Sequence, residues 1–430
     1  MINKQSFYQG YIEIIDISLY NFAGKRLDIR SIFGEMDIQE DLFAPTCTGS
    51  VGIMDASNIY EDFPIIGEET IKITYKDNTK TQVTRSFDVY AVSDKTKVGD
   101  RAFFYTLKFC SPEFLMNRTK LISKAYTNKT ADEIVTAVVK SDLGSTKPVL
   151  VEKTVGIQNY IAPTVYPFEI TSAMCTRGKS LNNQKGASYV FYEDKTGFNF
   201  VPIETLIKKP AIKYTLDSSA SHTSANTKFN VMKYYMSSPA NTMGNITGGS
   251  FGCNVKALDL FNKKMIDVSY NHFDDKQYSQ VEHINSTNPK LKLTTSKYKY
   301  KSTDGMYKVI IANSDTGIDE SGSMRESNVA VRYAQLGVYA NGPKLNIEVS
   351  FNSALTVGGM IDIVIPSAVI SSKASNILST DLYFSGKYLI TALRHIITAA
   401  SAVTAIELSR DTYTKDHEEF MKKSNSRLGV

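Results

Sequence analysis

The chain has no tryptophan, only four cysteines and only five histidines among its 430 residues. Each scarcity closes a route. Cys47, Cys110, Cys175 and Cys253 stand far apart and form no C-x-x-C. Neither a zinc ribbon nor a disulfide framework is signalled, and free thiols in a reducing compartment are the expectation. The histidines, His222, His272, His283, His395 and His417, fall in no H-E-x-x-H and at no i, i+4 spacing, which leaves zinc catalysis unsupported. There is no long basic run: 49 basic residues against 44 acidic give a net charge of +5. That balance fits a mixed, solvated surface rather than a nucleic-acid face or a polybasic membrane patch.

Long apolar runs are missing too. The most apolar stretch, "YLITALRHIITAASAVTAIEL", is broken by Arg394 and His395 and alternates as a sheet strand does, so no membrane association is expected. The opening "MINKQSFYQGYIEIIDISLYNF" lacks the apolar core of a signal peptide. Without one, the sequons at Asn117, Asn128, Asn245 and Asn285 carry no message about glycosylation.

What is abundant is tyrosine (25) and phenylalanine (21), with Thr, Val and Ile around them. These residues favour strands, and a mainly β chain with α/β insertions (α+β) is expected. The length calls for more than one domain. Residues 1–113 read as successive strands: "YIEIIDISLY", "TCTGSVGIMDAS", "EETIKITYK", "SFDVYAVSD" and "RAFFYTLKFCSPE". Residues 114–205 read as a small α/β domain. In "KTADEIVTAVVKSDLG", Thr130 and Glu133 form a capping-box pattern, Ile134, Val135, Val138 and Val139 a stripe, and Gly144 a C′ residue. "YPFEITSAMCTR" offers a second helix with Pro167 in its first turn. The hairpin "SYVFYEDKTGFNFVPIETL" follows, with Asp194 to Gly197 as its turn and Tyr189, Phe191, Phe198 and Phe200 as a packed spine.

Residues 206–240 are irregular in pattern, and 336–412 return to strands; together they form a second, split β domain. An insertion at 241–335 divides it, containing "RESNVAVRYAQLGVYANG" as a helix with Val329, Tyr333 and Leu336 on one face. Residues 413–430 are a charged tail. The C-terminal strands echo the N-terminal ones. "IIGEETIKITY" matches "LTVGGMIDIVIP", setting Ile71 and Ile73 against Ile361 and Ile363. "SFDVYAVSD" then "FFYTLKFCSPE" parallels "KYLITALRH" then "TAIELSRD".

Chemistry is sparse. "GGSFG" fits G-x-S-x-G around Ser250, the nucleophile elbow, but the residues before it are not a buried strand and no β/α alternation surrounds it. A glycine-rich turn is the better reading. His395 lies in an apolar strand as a core or interface residue, and Asp274 with Asp275 point to opposite faces of a strand or sit in a turn. "TVGGMID" has no phosphate-cradle context. The stretch from Lys290 to Lys301 interleaves Lys and Tyr; a wet, basic strand face is expected, and contact with DNA is the alternative. No catalytic, cofactor-binding or metal residue is therefore assigned.

The succession "YVFYEDKTGFNFVPIETL", "LTVGGMIDIVIP", "FSGKYLITALRHII" and "TAIELSRD", with "TGGSFGCNVKALDLFNKK" between, resembles the central baseplate hub protein of contractile-tailed bacteriophages. No single motif is specific; their order carries the likeness. The resemblance implies two tail-tube-like antiparallel β-barrel or sandwich domains plus smaller inserted domains. It implies a homotrimer without cofactor, in the virion tail baseplate, assembled in the host bacterial cytoplasm. It implies tail tube or tube-initiator proteins, a central spike protein and baseplate wedge proteins as partners, with DNA crossing the lumen. With no lysozyme segment and only a short tail after the last strand, wall degradation and the spike are expected in other proteins. The hub of another contractile injection device, a Ser250 hydrolase and a sugar-binding β-sandwich module are the alternatives.

Overall fold

The computed structural model describes residues 12–57, 59, 63–76, 82–99, 102–182, 186–216, 229–238, 241–260, 263–271, 283–285, 305–311, 322–366, 381, 384–399 and 401–412. Asp274, Asp275, His222, His272, His417, the basic stretch at 290–301 and the tail at 413–430 lie outside them.

The chain is mainly β, as expected. Seven strands come first: β1 (Glu13–Tyr20), β2 (Arg26–Asp28), β3 (Phe33–Asp41), β4 (Thr48–Asp55), β5 (Thr70–Lys76), β6 (Gln82–Val98) and β7 (Ala102–Cys110). Period-two alternation sends one face inward, and Ile17, Ile38, Val51, Ile71, Ile73, Phe87 and Leu107 meet in one buried cluster. The sheet curls around its own core.

A smaller α/β unit follows, with α1 (Pro112–Thr119), β8 (Ile122–Lys129), α2 (Ala131–Ala137), β9 (Val149–Val151), β10 (Gln158–Val165), α3 (Pro167–Arg177), β11 (Tyr189–Asp194), β12 (Gly197–Pro202) and α4 (Ile203–Leu206). Helix α2 starts at the capping signal: Glu133 Oε2 accepts the Thr130 N–H at 3.1 Å. It runs on as a wider π turn over Val138–Asp142, and Gly144 then turns the chain at φ +72°. The hairpin β11–β12 pairs Asp194 with Gly197, and Asp194 Oδ1 accepts the Thr196 N–H at 2.7 Å. Tyr189, Phe191, Phe198 and Phe200 face the helices, with the Phe191 and Phe198 rings stacked at 5.5 Å. The opposite face, Val190, Tyr192 and Val201, enters a different core. The hairpin is thus buried on both sides and braces two units at once.

That second core belongs to strands from the rest of the chain. They are β13 (Ala211–Thr215) and β14 (Val231–Ser238), then, after an insertion, β18 (Lys344–Ser350), β19 (Met360–Val364), β20 (Gly386–Thr398) and β21 (Ala402–Ser409). The insertion holds α5 (Thr242–Thr247), β15 (Gly252–Asp259), β16 (Lys264–Asn271), β17 (Tyr307–Ile311) and α6 (Gly322–Asn341). Helix α6 lies between two cores: Val329, Ala330 and Ala334 pack on the insertion's sheet, whereas Tyr339 joins the second β core. This explains why its buried stripe is wider than Val329, Tyr333 and Leu336. Its Arg332 donates to the carbonyls of Cys175 at 3.0 Å and Tyr189 at 2.5 Å, tying it to the α/β unit.

The two β units share one plan. Strand order is β3-β4-β7-β6-β5-β1 in the first and β14-β18-β21-β20-β19-β13 in the second, the same sequence of elements. Ile71 and Ile73 pair with Phe87 and Arg85, as Ile361 and Ile363 pair with Tyr388 and Gly386. Both long strands carry a bulge at the same place, Tyr90 in β6 and Thr391 in β20. One difference is that β1 meets β5 antiparallel whereas β13 meets β19 parallel. The second sheet stops short of closing: a single bridge, Thr215 to Asn230, links its ends.

The copies are not packed alike. Gly49 in β4 occupies the place of Leu345 in β18, and a Cβ there would lie 2.2 Å from the Asp37 carbonyl oxygen and 2.5 Å from the Phe109 ring. The larger Phe109, opposite Gly49 where Leu408 faces Leu345, uses the space. Gly49→Ala is therefore expected to cost about 1–3 kcal/mol by overpacking. A lowered urea midpoint would show it; an unchanged midpoint would mean the β3–β4 pair can spread.

Candidate functional site: a strand shared between two β units

The first and second units are one continuous 13-stranded sheet, joined by β20. One edge of this strand pairs with β21. Its other edge pairs with β19 over Gly386–Leu389 and then with β3 from Ala392↔Asp41 to Thr398↔Glu35. The bulge at Thr391 marks the change of partner. Side chains cross the seam in both directions. Leu42 lies in the second core, and Phe351, Ile397 and Ala402 lie in the first.

The outer face of the seam is polar. Arg394 Nε lies 3.4 Å from Asp37 Oδ2, Lys344 Nζ 3.1 Å from Glu407 Oε1 and Lys233 Nζ 2.9 Å from Glu348 Oε2. Gln39 Nε2 and Ser50 Oγ also donate to Asp37. A groove of about 670 Å³ runs over this face from β14 to β4, lined by Lys233, Tyr235, Glu348, Arg394, Gln39 and Thr48 among others. Exposed pairs of this kind add little stability. They make a wall in which Arg394, Lys344 and Lys233 each meet a carboxylate.

The inner side is more constrained. Glu40 Oε1 accepts from Arg85 Nη1 at 2.9 Å, both buried, and Arg85 Nη2 donates to Cys47 Sγ at 3.0 Å. Burial opposes the Arg85 charge, but the groups around it, the Glu40 carboxylate among them, outweigh it and hold its pKa above the ordinary value. Burial, then the Glu193 charge, push the Cys47 thiol well up, so it is an inert neutral thiol. Glu193 accepts the Cys47 N–H at 3.0 Å, and Lys147 bridges Glu193 and Glu113 at 2.6 Å each. The network thereby joins the first β unit to the α/β unit. His395 is buried under the seam, its Nδ1 3.0 Å from Thr404 Oγ1 and its ring edge-on to Phe351.

Ser250 is fully buried, and its hydroxyl has no hydrogen-bond partner among the described residues. It follows the short helix α5 and precedes strand β15, the reverse of the strand-then-helix order a nucleophile elbow requires. His283 is engaged instead with Asp411 at 2.7 Å. All four cysteines are free and buried, and no group of His, Cys, Asp and Glu that could hold a metal occurs among the described residues. No helix among them is long and apolar enough to cross a membrane.

No family model matches the chain, and no curated protein matches it. Solved structures do. The 43 kDa tail protein of prophage MuSo2 from Shewanella oneidensis superposes with a TM-score of 0.56 at 11% identity, covering 92% of this chain and 98% of that one. The tail protein from Neisseria meningitidis MC58 gives 0.51 at 9% identity, covering 92% and 96%. A type VI secretion component of E. coli gives 0.45 at 9% identity over 95% and 78%, too loose to weigh. The chain has the fold of phage tail proteins.

Of the seam, sequence reading found β20, including His395, but not β3 or β14. β3 carries four acidic residues in "FGEMDIQED", and β14 is bulged at both ends, which erases its alternation. The one available signal was the repeat: had it been extended backward from β5, both strands would be demanded by symmetry.

Two outcomes follow from the buried groups. Arg85→Met leaves Glu40 buried without its cation and is expected to cost about 3–5 kcal/mol in urea unfolding, with Glu40→Leu in the same chain recovering most of it. Burial, then the charges of Arg85 and Lys195, lower the His395 pKa to about 3. The unfolded chain, titrating near 6.5, takes up a proton that the folded one declines. Its contribution is therefore complete above about pH 6.5 and lost as pH falls toward 3, at about 1.4 kcal/mol per pH unit. Between pH 7 and 5, wild type should lose about 2 kcal/mol more stability than His395→Gln; equal losses would place the protonation elsewhere.

Proposed function

We propose that this chain is the central hub of a contractile tail baseplate, a structural protein that works as a homotrimer. The observation that supports this best is the internal duplication. A single chain of phage-tail-protein fold carries two β units of the same strand order, joined edge to edge. Three chains then supply six similar units in a ring. A six-fold tail tube can stack on one side while a three-fold spike docks on the other. The division at 1–113, 114–205, 206–240 with 336–412, 241–335 and 413–430 belongs to the same proposal: two ring-forming units and two sets of braces, with a charged tail.

On this reading the polar face of the shared sheet is turned to the lumen. Its cations Arg394, Lys344 and Lys233 are each paired with a carboxylate, so a passing DNA backbone meets little attraction, whereas an unpaired basic wall would hold it. The partners are tube or tube-initiator proteins, the spike and the wedge proteins, and the place of action is the virion baseplate, after assembly in the bacterial host. No reaction is assigned. Native mass and class-averaged images of the purified chain test this. The expected result is three times the 47.8 kDa of one chain, with a three-fold ring. A monomer without a ring overturns it.

A further inference from the structure

The seam between β20 and β3 is satisfied within one chain, but its counterpart is not. By strand order β6 is the equivalent of β20, and β14 the equivalent of β3. The far half of β20 gives its second edge to β3. In β6 the corresponding half, Ala91–Val98, pairs only with β7, and no strand occupies its other edge among the described residues. Likewise β3 is paired on both edges, whereas among the described residues β14 pairs along its length with β18 alone, the Thr215–Asn230 bridge lying just before it. The two vacant edges are the two halves of one missing seam. Six strands lie between β14 and β6 in the order of the chain's sheet, so the two are not neighbours within one chain.

The far half of β6 has the charges of a bare edge, Asp94, Lys95 and Lys97, but both edges also expose large apolar side chains. Met232, Tyr234 and Tyr235 on β14 are 43%, 46% and 67% exposed, and Tyr90 and Val98 on β6 are 44% and 46% exposed. Edge strands left to water carry charge, proline or short length as protection, and β14 instead shows aromatic residues.

We infer that β14 of one copy adds antiparallel to the far half of β6 of a second copy, repeating between chains the β3–β20 seam made within each. The register follows from the equivalent pairs. Tyr234 and Tyr235 face Ile347 and Asn346, as Met36 and Asp37 face Val51 and Ser50, and Lys233 and Glu35 each come next in their strand. Past a second bulge between Ser93 and Thr96 that β20 lacks, Thr96 and Lys97 face Phe104 and Phe103, as Ile396 and Ile397 face Val403 and Ala402, and Val98 faces Ala102 where the Thr398 N–H bonds the Ser401 carbonyl. Since Asp37 pairs with Ile396, Met36 with Ile397 and Glu35 with Thr398, the joint pairs Tyr235 with Thr96, Tyr234 with Lys97 and Lys233 with Val98 of the neighbour. The core-facing pair Met36–Ile397 is replaced by Tyr234–Lys97. Both are side chains with apolar bodies and polar tips, tolerable in water before assembly and able to stack by cation–π contact after it. The interface is head-to-tail, and it closes when the rotation between units divides a full turn.

This pairing rests on the ring reading, and its test separates the two. Two double variants, Tyr235→Cys with Thr96→Cys and Tyr234→Cys with Lys97→Cys, are compared with the out-of-register Tyr235→Cys with Lys97→Cys. Adjacent antiparallel pairs alternate between wide and close spacing, so one of the in-register pairs has the approach a disulfide needs. The out-of-register pair points to opposite faces. All sites are on exposed strands, and thermal melting confirms that each variant folds. On mild oxidation, at least one in-register variant is expected to lose its monomer band to a covalent trimer on a non-reducing gel, while the control keeps it. A wild-type trimer by native mass with neither in-register cross-link, or with the control linked equally, overturns the pairing and leaves the ring. A wild-type monomer overturns both.

Discussion

Everything else in the molecule is arranged around one strand with two partners on the same edge. β20 begins in the second β unit, against β19, and ends against β3 of the first. A strand edge left bare is a row of unpaired donors and acceptors open to the wrong partner. Here the edge of one unit is the continuation of the other. The bulge at Thr391 lets the strand bend between the two sheets without breaking the ladder with β21. Because Leu42, Phe351, Ile397 and Ala402 are each buried in the neighbour's core, the units cannot turn independently without opening both. The α/β hairpin, buried on two faces, and Arg332 of α6 add further ties to the same block.

The buried charges under the seam have their main effect on register. Buried ion pairs are weak sources of net stability, because desolvation of both partners offsets their attraction. They are strong discriminators between alignments. A one-residue slip of β3 along β20 would turn Glu40 to the wet face and bring Asp37 beneath it, away from Arg85. Cys47 and Glu193 would then lose their alignment as well, since both belong to the same network. Every mispaired state leaves a cation or a carboxylate buried alone. The apolar residues of β3, Met36 and Ile38, reject the same slip by exposing themselves to water. Hydrophobic pattern and charge therefore specify the same pairing.

Much of this was legible in the residues, and what was hidden has a common cause. The repeat aligned Ile71 and Ile73 with Ile361 and Ile363, which the pairing of β5 with β6 and of β19 with β20 reproduces. The hairpin at 189–202, the helix start at Thr130 and the return strands β20 and β21 all carry local signals: alternation, turn residues and caps. β3 and β14 do not. Glu40 looks like a surface residue until Arg85, 45 positions away, is seen to meet it. β14 presents Met, Lys, Tyr, Tyr and Met without period because its bulges move side chains from face to face. The ribbon of β8 and β10 was hidden for a similar reason, with few of its residues buried. Ser250 shows the converse. A motif with a strong local signature sits in a helix-then-strand setting, the reverse of the order an elbow requires.

Of the hidden strands, β3 and β14 occupy equivalent edges of the duplicated sheet, and this is no accident of pattern. A strand read easily from sequence is one whose partners are water on one side and a core on the other. A joint strand has neither: it is designed around a second polypeptide surface, supplied within the chain for β3 and left open for β14. The chemistry of the two edges differs accordingly. Met36 and Ile397 are plainly apolar and meet during folding, never facing solvent in the finished chain. Tyr234 and Lys97 must first be carried by a soluble molecule, so their positions hold side chains that water tolerates. A seam formed in folding and a seam formed in assembly can share one backbone geometry while obeying different solubility constraints. That difference hides the duplication from residue-by-residue comparison and preserves it in strand order.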